Sequence, residues 1–142
     1  MPLLIDLKPG EKVIINGAVI ENAGANTKIR ICNDSTLLRH KEIMVEEEAK
    51  TPAARVYFCL QNAYIFPAKR AQYMALYSTY LTEFVDACPS AADIADQIRA
   101  EAEQGHYYKA LKWAGKLLKH EGEIIHAMLK ATEAVAAEVE AE

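Results

Sequence analysis

The chain has 142 residues, with 16 lysines and arginines against 20 aspartates and glutamates, a net charge of −4 at pH 7. Hydrophobic residues make up 51% and charged residues 25%, which fits a globular domain and excludes collagen-like, disulfide-rich and disordered proteins. No apolar run approaches the ~18–20 residues of a membrane span, and the first residues lack the basic start of a signal peptide. The net acidity argues against nonspecific coating of nucleic acid.

The cysteines and the missing motifs argue against an enzyme. Cys32, Cys59 and Cys88 are widely spaced, which predicts reduced, mostly buried thiols in a cytoplasmic protein rather than disulfides or a zinc site. The sequence contains no nucleophile elbow, no phosphate-binding loop and no dinucleotide fingerprint. We therefore expect no catalytic residue, no metal and no cofactor.

Residues 1–48 are predicted to form an N-terminal lobe of short antiparallel strands. Apolar and β-branched runs at residues 3–7, 13–15, 18–20, 27–31 and 37–43 are separated by turn residues. Asn16-Gly17 predicts a type I′ hairpin turn. We expect one small sheet of four or five strands with a single apolar face, which needs helices to cover it. Its exposed edge would pair with another chain, so we expect a homo-oligomer.

Residues 49–126 are predicted to form a bundle of about four helices, so the fold class is α+β. Thr51 and Pro52 are typical of an N-cap and a first helical position. A second helix is expected over residues 71–87, a third capped by Pro89-Ser90, and a fourth from about His106 past residue 125. Residues 127–142 form an alanine- and glutamate-rich tail, expected to be frayed or helical only with a partner.

One basic surface is predicted on the N-terminal lobe. Lys28 and Arg30 alternate with isoleucines, so they share the outward face of a strand, and Arg39, His40 and Lys41 follow in the same lobe. These residues are the candidates for contact with RNA phosphates. The alternative is the ordinary polar face of a half-buried strand.

A second basic surface is predicted on the fourth helix. Lys109, Lys112, Lys116 and Lys119 fall within an arc of about 80°, and no acidic residue lies between residues 105 and 120. This surface is a candidate for binding RNA or an acidic partner. The alternative is the solvated face of an amphipathic helix. The apolar side chains predicted on the opposite face are Tyr107, Ala110, Leu111, Ala114, Leu117 and Leu118.

Three blocks of sequence, LKPGEKVIINGAVIEN, TPAARVYFCLQNAYI and QGHYYKALKWAGKLLKHE, resemble the FlbT family of alphaproteobacterial flagellum-biosynthesis regulators. The resemblance covers about residues 1–125, with the blocks in the family's order and spacing. It implies a cytoplasmic regulator that binds the 5′ untranslated region of flagellin mRNA and represses translation or promotes mRNA decay. Some members act positively, so the sign stays open. We expect no contact with a membrane or with DNA.

Two further likenesses bear on how the chain would act. The pattern GxYYKALKxA resembles half of a tetratricopeptide-like helical hairpin, so in the alternative the helices dock the family-associated protein FlaF or a flagellin and affect mRNA indirectly. In the N-terminal lobe, the order of a Gly-Glu turn, the strands and a final RHKEI segment is similar to that of CsrA-type RNA-binding proteins. That second likeness is an analogy of fold alone.

Overall fold

A computed structural model describes residues 3–141 and confirms the α+β fold class. Five short strands precede four helices. The strands are β1 (Leu3–Leu7), β2 (Lys12–Ile15), β3 (Ala18–Glu21), β4 (Thr27–Ile31) and β5 (Leu37–Leu38). The helices are α1 (Pro52–Ile65), α2 (Arg70–Ala87), α3 (Ala92–Glu103) and α4 (Tyr107–Ala141). Short 3₁₀ turns cover His40–Glu42, Glu46–Glu48, Pro67–Lys69 and Pro89–Ala91.

The strands form two sheets, so the expectation of one sheet is wrong. β1 pairs with β4 in an antiparallel ladder, and a separate sheet has the order β3-β2-β5. The loop after β3 explains the split. The Asn22 side chain donates to the carbonyls of Leu7 and Ala25 and accepts from the Gly24 amide. These bonds tie the loop to the end of β1, so β4 is directed to β1 and does not continue the hairpin.

The hairpin turn is confirmed, whereas the last predicted strand is too long. Asn16 and Gly17 have φ values of 51° and 84°, the positive values that a type I′ turn requires. Of residues 37–43, only Leu37 and Leu38 are strand. The chain then turns into 3₁₀ geometry because the Glu42 carboxylate accepts a hydrogen bond from the Arg39 amide, 3.1 Å away.

The start of α1 is as predicted, but the start of α3 is not. Thr51 Oγ1 accepts from the Ala54 amide, and Pro52 is the first helical residue. At α3 the predicted Ser90 cap is wrong, since the helix begins at Ala92 after a 3₁₀ turn and no cap side chain bonds its amides. Ser90 Oγ lies instead 2.9 Å from His120 Nε2 of α4, so it joins two helices.

The main core lies between the helices, with α1 packed against α2 and α4, and α3 packed against α4. Its fully buried large side chains are Leu38, Val56, Leu60, Leu81, Ile98, Leu111 and Leu117. A smaller core of Ile5, Leu7 and Val13 lies within the strands. Leu38 of β5 belongs to the main core, so β5 fixes the N-terminal lobe against the helices.

The last helix continues well beyond the bundle. Glu121 Oε2 accepts from the Ala53 amide at 3.0 Å, at the start of α1, and Glu121 is the last buried side chain among residues 107–140. Residues 122–140 are exposed except for the half-buried Ile124. In the described part of the chain, no helix is both long and apolar enough to cross a membrane.

Candidate functional site

A cleft of about 760 Å³ opens between the two lobes. One wall is β1 and the start of the turn that follows it, another is the segment from β5 to Glu42, and the third is α4 through Tyr108 and Lys112. The strand of the first wall, β1, pairs along one edge with β4. A cleft of this size lies within the ~300–1,000 Å³ that small organic ligands occupy in proteins. It is therefore large enough for one or more extruded nucleotide bases.

A group of four polar residues, Glu42, Tyr57, Tyr108 and Lys112, here called the Glu42 cluster, joins the lobes at this cleft. Lys112 Nζ lies 2.8 Å from Glu42 Oε2, and the Tyr108 hydroxyl donates to the same oxygen at 2.5 Å. The Tyr57 hydroxyl donates to the Glu42 carbonyl at 2.7 Å. The Glu42 side chain is only 15% exposed, whereas Lys112 is 59% exposed. Glu42 thus connects the N-terminal lobe to α1 through its backbone carbonyl and to α4 through its carboxylate.

The Glu42 cluster favours the charged forms of its ion pair. Burial opposes the ionisation of Glu42, but the hydrogen bonds from Lys112, Tyr108 and the Arg39 amide outweigh it and hold the pKa of Glu42 below its usual value. The hydrogen bond to Glu42 raises the pKa of Lys112. Burial, and then the charge of Glu42, raise the pKa of Tyr57 to about 12. At neutral pH the cluster therefore holds one carboxylate, one ammonium and two protonated tyrosines.

The cationic segment of residues 39–41 lies on the rim of the cleft. Arg39, His40 and Lys41 are exposed and line the opening. His40 Nδ1 accepts from the Lys12 amide at 3.0 Å. The neutral ring therefore carries its proton on Nε2, which remains a hydrogen-bond donor. In the described part of the chain, Arg39 and Lys41 have no carboxylate within 4.0 Å.

Lys28 and Arg30 lie one strand away from the cleft. Both are exposed on β4, and the register places Lys28 opposite Asp6 and Arg30 opposite Leu4 of β1. Lys28 Nζ is 4.0 Å from Asp6 Oδ1 at a site more than 60% exposed, where an ion pair contributes little. These two cations therefore lie next to the β1 wall, whereas the segment of residues 39–41 lines the cleft itself.

The four lysines of the second basic surface are all exposed on one face of α4, but they differ in their contacts. Lys112 is paired with Glu42, so its charge is neutralised inside the cleft. Lys116 Nζ lies 4.0 Å from the centre of the Trp113 ring, which is cation–π geometry. Lys109 and Lys119 are exposed. Their helix does bury its opposite face as predicted, through Ala110, Leu111, Ala114 and Leu117.

The contacts of Glu42 were missed by the sequence reasoning, because they join residues far apart in the chain. Tyr108 is 66 residues from Glu42. Tyr64, whose ring centre is 5.5 Å from that of Tyr108, donates to the Leu37 carbonyl and accepts from its amide. No local spacing links these positions. The one available signal was Glu42 itself, an acidic residue directly after the cations of residues 39–41.

The thiols differ in exposure. Cys59 is buried, Cys88 is half-buried and Cys32 is exposed, so the expectation that they are mostly buried fails at Cys32. Burial raises the pKa of Cys59 to about 11. Among residues 3–141, no three histidine, cysteine, aspartate or glutamate side chains are grouped closely enough to hold a metal ion.

The side chains that line the cleft can bind a ligand through ion pairs, hydrogen bonds and aromatic contacts.

A model of the family described as flagellar protein FlbT matches residues 3–125. The chain is 35% identical over 128 residues to the probable flagellum biosynthesis repressor protein FlbT of Rhodopseudomonas palustris strain TIE-1, covering 88% of this chain and 98% of that protein. It is 36% identical to the corresponding protein of Caulobacter sp. strain K31, covering 85% and 94% of the two chains. The flagellum biosynthesis repressor protein FlbT of Caulobacter vibrioides strain CB 15 is 33% identical, covering 87% and 89%.

These comparisons place the chain in the FlbT family, as its three sequence blocks predicted. The relatives are named as repressors and not as enzymes. No solved structure matches the chain, so the likeness of its N-terminal lobe to CsrA-type proteins stays a prediction. The family match ends at residue 125, and most of the exposed part of α4 lies beyond it.

Proposed function

We propose that this protein regulates flagellar biogenesis by binding the 5′ untranslated region of flagellin mRNA in the interlobe cleft, and that binding represses translation or promotes decay of the message. The names of its relatives support a repressor of flagellum biosynthesis. The observation that carries the proposal is the position of Arg39 and Lys41 on the rim of a cleft lined by two tyrosines. Among residues 3–141, neither cation has a carboxylate partner.

The distribution of charge supports a nucleic acid as the ligand. The Glu42 cluster neutralises Lys112 internally. The cations that remain for a ligand are those of residues 39–41 and Lys8 on the cleft lining, and Lys28 and Arg30 on β4, next to the β1 wall. An RNA backbone crossing the cleft would meet cations on both sides. Phosphate contacts of this kind give an affinity that falls steeply with salt, which fits an acidic protein that binds a selected RNA and does not coat RNA in general.

The shape of the cleft favours single-stranded RNA. An A-form helix presents a deep, narrow major groove that side chains do not read, whereas unstacked bases of loops are bound by aromatic rings and hydrogen bonds. Tyr64 and Tyr108 line the cleft, and the neutral His40 ring keeps an Nε2 donor on its rim. We expect a loop or unpaired segment of the leader to enter between the lobes.

Binding is tested by gel shift with the flagellin leader of the same organism. The variant Arg39→Gln with Lys41→Gln should weaken binding about tenfold or more and lower the salt slope by about 1.4, since each lost contact to a single strand removes about 0.7. Lys109→Gln with Lys119→Gln is the matched control, because it removes the same charge from the exposed helix face. That control should bind within about twofold of wild type, and a scrambled leader should bind weakly.

Two results would contradict the proposal. One is the absence of any leader-specific shift at 100 mM salt with a folded protein, which would leave the RNA effect to a partner. The other is a loss of binding in the α4 variant with normal binding in the rim variant, which would place the RNA on the second basic surface.

Lys28→Glu with Arg30→Glu should also abolish binding without lowering thermal stability, because both side chains are exposed.

A further inference from the structure

The free end of α4 carries an apolar stripe that nothing in the described chain covers. The α4 extension, residues 122–141, continues the helix by about 30 Å beyond the bundle. Apart from the half-buried Ile124, its large apolar side chains are 43–66% exposed. They are Ile125, Met128, Leu129, Val135 and Val139. At 3.6 residues per turn these five fall within an arc of about 120°, which is the width of a helix face that packs against another element.

The stripe continues the face by which α4 packs into the bundle. Ala114, Leu117 and Glu121 lie in the same angular range and are buried against the other helices. Beyond Glu121, α4 has no other helix of the described chain to pack against. The reason is that α1 and α3 run antiparallel to α4 and begin beside Glu121 and His120. The packing face itself goes on for about four more turns. The extension therefore has the pattern of a helix that packs on one side and lacks its partner.

The charge of the α4 extension indicates the nature of that partner. It contains four glutamates and one lysine, a net charge of −3. Glu133 and Glu140 border one side of the stripe, and Glu138 lies beyond the other side. A second copy of the extension would bring two acidic helices together, which like-charge repulsion disfavours. A helix with lysines or arginines beside its apolar face would meet glutamates at both borders.

We propose that the α4 extension is a docking site for an amphipathic helix of a partner protein, with basic residues flanking its apolar face. The partner helix packs on the stripe of Ile125, Met128 and Val135, and its cations pair with the bordering glutamates. This is helix-in-groove recognition with electrostatic selection. The site lies at the opposite end of α4 from Tyr108, so docking leaves the RNA cleft open.

The proposal is tested with the full-length protein and two synthetic peptides. The first is a labelled amphipathic peptide of about 18 residues, five helical turns, with leucines on one face and lysines on its borders. The second has glutamates in place of the lysines. Fluorescence anisotropy should show binding of the lysine peptide that weakens as salt rises, and at least about tenfold weaker binding of the glutamate peptide.

Two double variants localise the binding. Met128→Gln with Val135→Gln should weaken binding of the lysine peptide about tenfold or more, because two apolar contacts are lost. Ala127→Gln with Ala134→Gln places the same side chains on the opposite face of the helix and should bind within about twofold of wild type. Circular dichroism of both variants should match wild type, which shows that the extension remains helical.

Four results would overturn the proposal. One is no binding of the lysine peptide at 100 µM. Another is equal binding of the two peptides, which would exclude selection by charge. Equal weakening of binding by the two variants would likewise exclude the stripe as the binding surface. The fourth is a dimer of the wild-type chain in sedimentation that Met128→Gln with Val135→Gln dissociates, which would make a second copy the occupant.

Discussion

Replacing Glu42 by glutamine tests whether the Glu42 cluster holds the two lobes together. The substitution keeps the shape of the side chain but removes the charge that Lys112 and Tyr108 bond at 2.8 and 2.5 Å. A hydrogen bond to a charged group contributes about 1.5–3 kcal/mol. The Lys112 contact is discounted to under about 1 kcal/mol because its side chain is 59% exposed. We expect Glu42→Gln to lower the free energy of unfolding by about 2 kcal/mol.

Urea denaturation at pH 7 measures this change, and a thermal melt should show a decrease of about 6 °C for a chain of this size. Glu47→Gln is the matched control. Glu47 is an exposed carboxylate without an ion-pair partner in the described chain, so its loss should change stability by less than about 0.5 kcal/mol. Lys112→Gln should cost less than Glu42→Gln, since Glu42 keeps its bonds from Tyr108 and the Arg39 amide.

The stability difference between wild type and Glu42→Gln should depend on pH in a direction that follows from the pKa of Glu42. The pKa of Glu42 is lower in the folded protein than in the unfolded chain. Its contribution to stability is therefore complete above the unfolded value of about 4.3 and is lost as the pH falls through the folded value. The difference between wild type and Glu42→Gln should be constant from pH 6 to 8 and shrink below about pH 4. A difference under about 0.5 kcal/mol at pH 7 would refute the reasoning.

Two further predictions follow from exposure. A thiol reagent at pH 7 should modify Cys32 readily and Cys59 only on unfolding, because Cys59 is buried and its pKa is raised to about 11; equal rates by peptide mapping would contradict the burial. β3 is the edge of its sheet and Val19 on it is 61% exposed, so we expect Val19→Lys to convert the predicted homo-oligomer to a monomer. A wild-type chain that sediments as a monomer at every concentration would refute that assembly.

Features that depend on a few adjacent residues could be predicted from the sequence. Asn16-Gly17 determines its turn because only such residues adopt two successive positive φ values without strain. Thr51-Pro52 determines the start of α1 because both the cap oxygen and the fixed φ act within one turn. The buried face of α4 followed from helical periodicity. In each case the cause and the effect lie within a few residues of each other.

Features that depend on contacts between residues far apart in the chain could not be predicted from the sequence. The helical pattern alone groups Lys112 with the other lysines of α4, since its counterion Glu42 lies on the other lobe. The strand pattern alone predicts one sheet, since the Asn22 bonds that separate β4 from β3 depend on the position of Leu7. The local sequence predicts Ser90 as a helix cap, since its partner in the structure, His120, is 30 residues away. The cleft itself exists only once β1, the segment of residues 39–41 and α4 converge.

The central claim is that RNA lies in the interlobe cleft, and in-cell crosslinking tests it most directly. The protein is crosslinked to RNA in living cells and purified, and the crosslinked peptides and the bound RNA are both identified. We expect flagellin leader RNA on peptides within residues 27–41, which carry Lys28, Arg30 and the cations of the rim. Recovery of no leader RNA, or crosslinks confined to residues 113–120 on the exposed face of α4, would contradict the account.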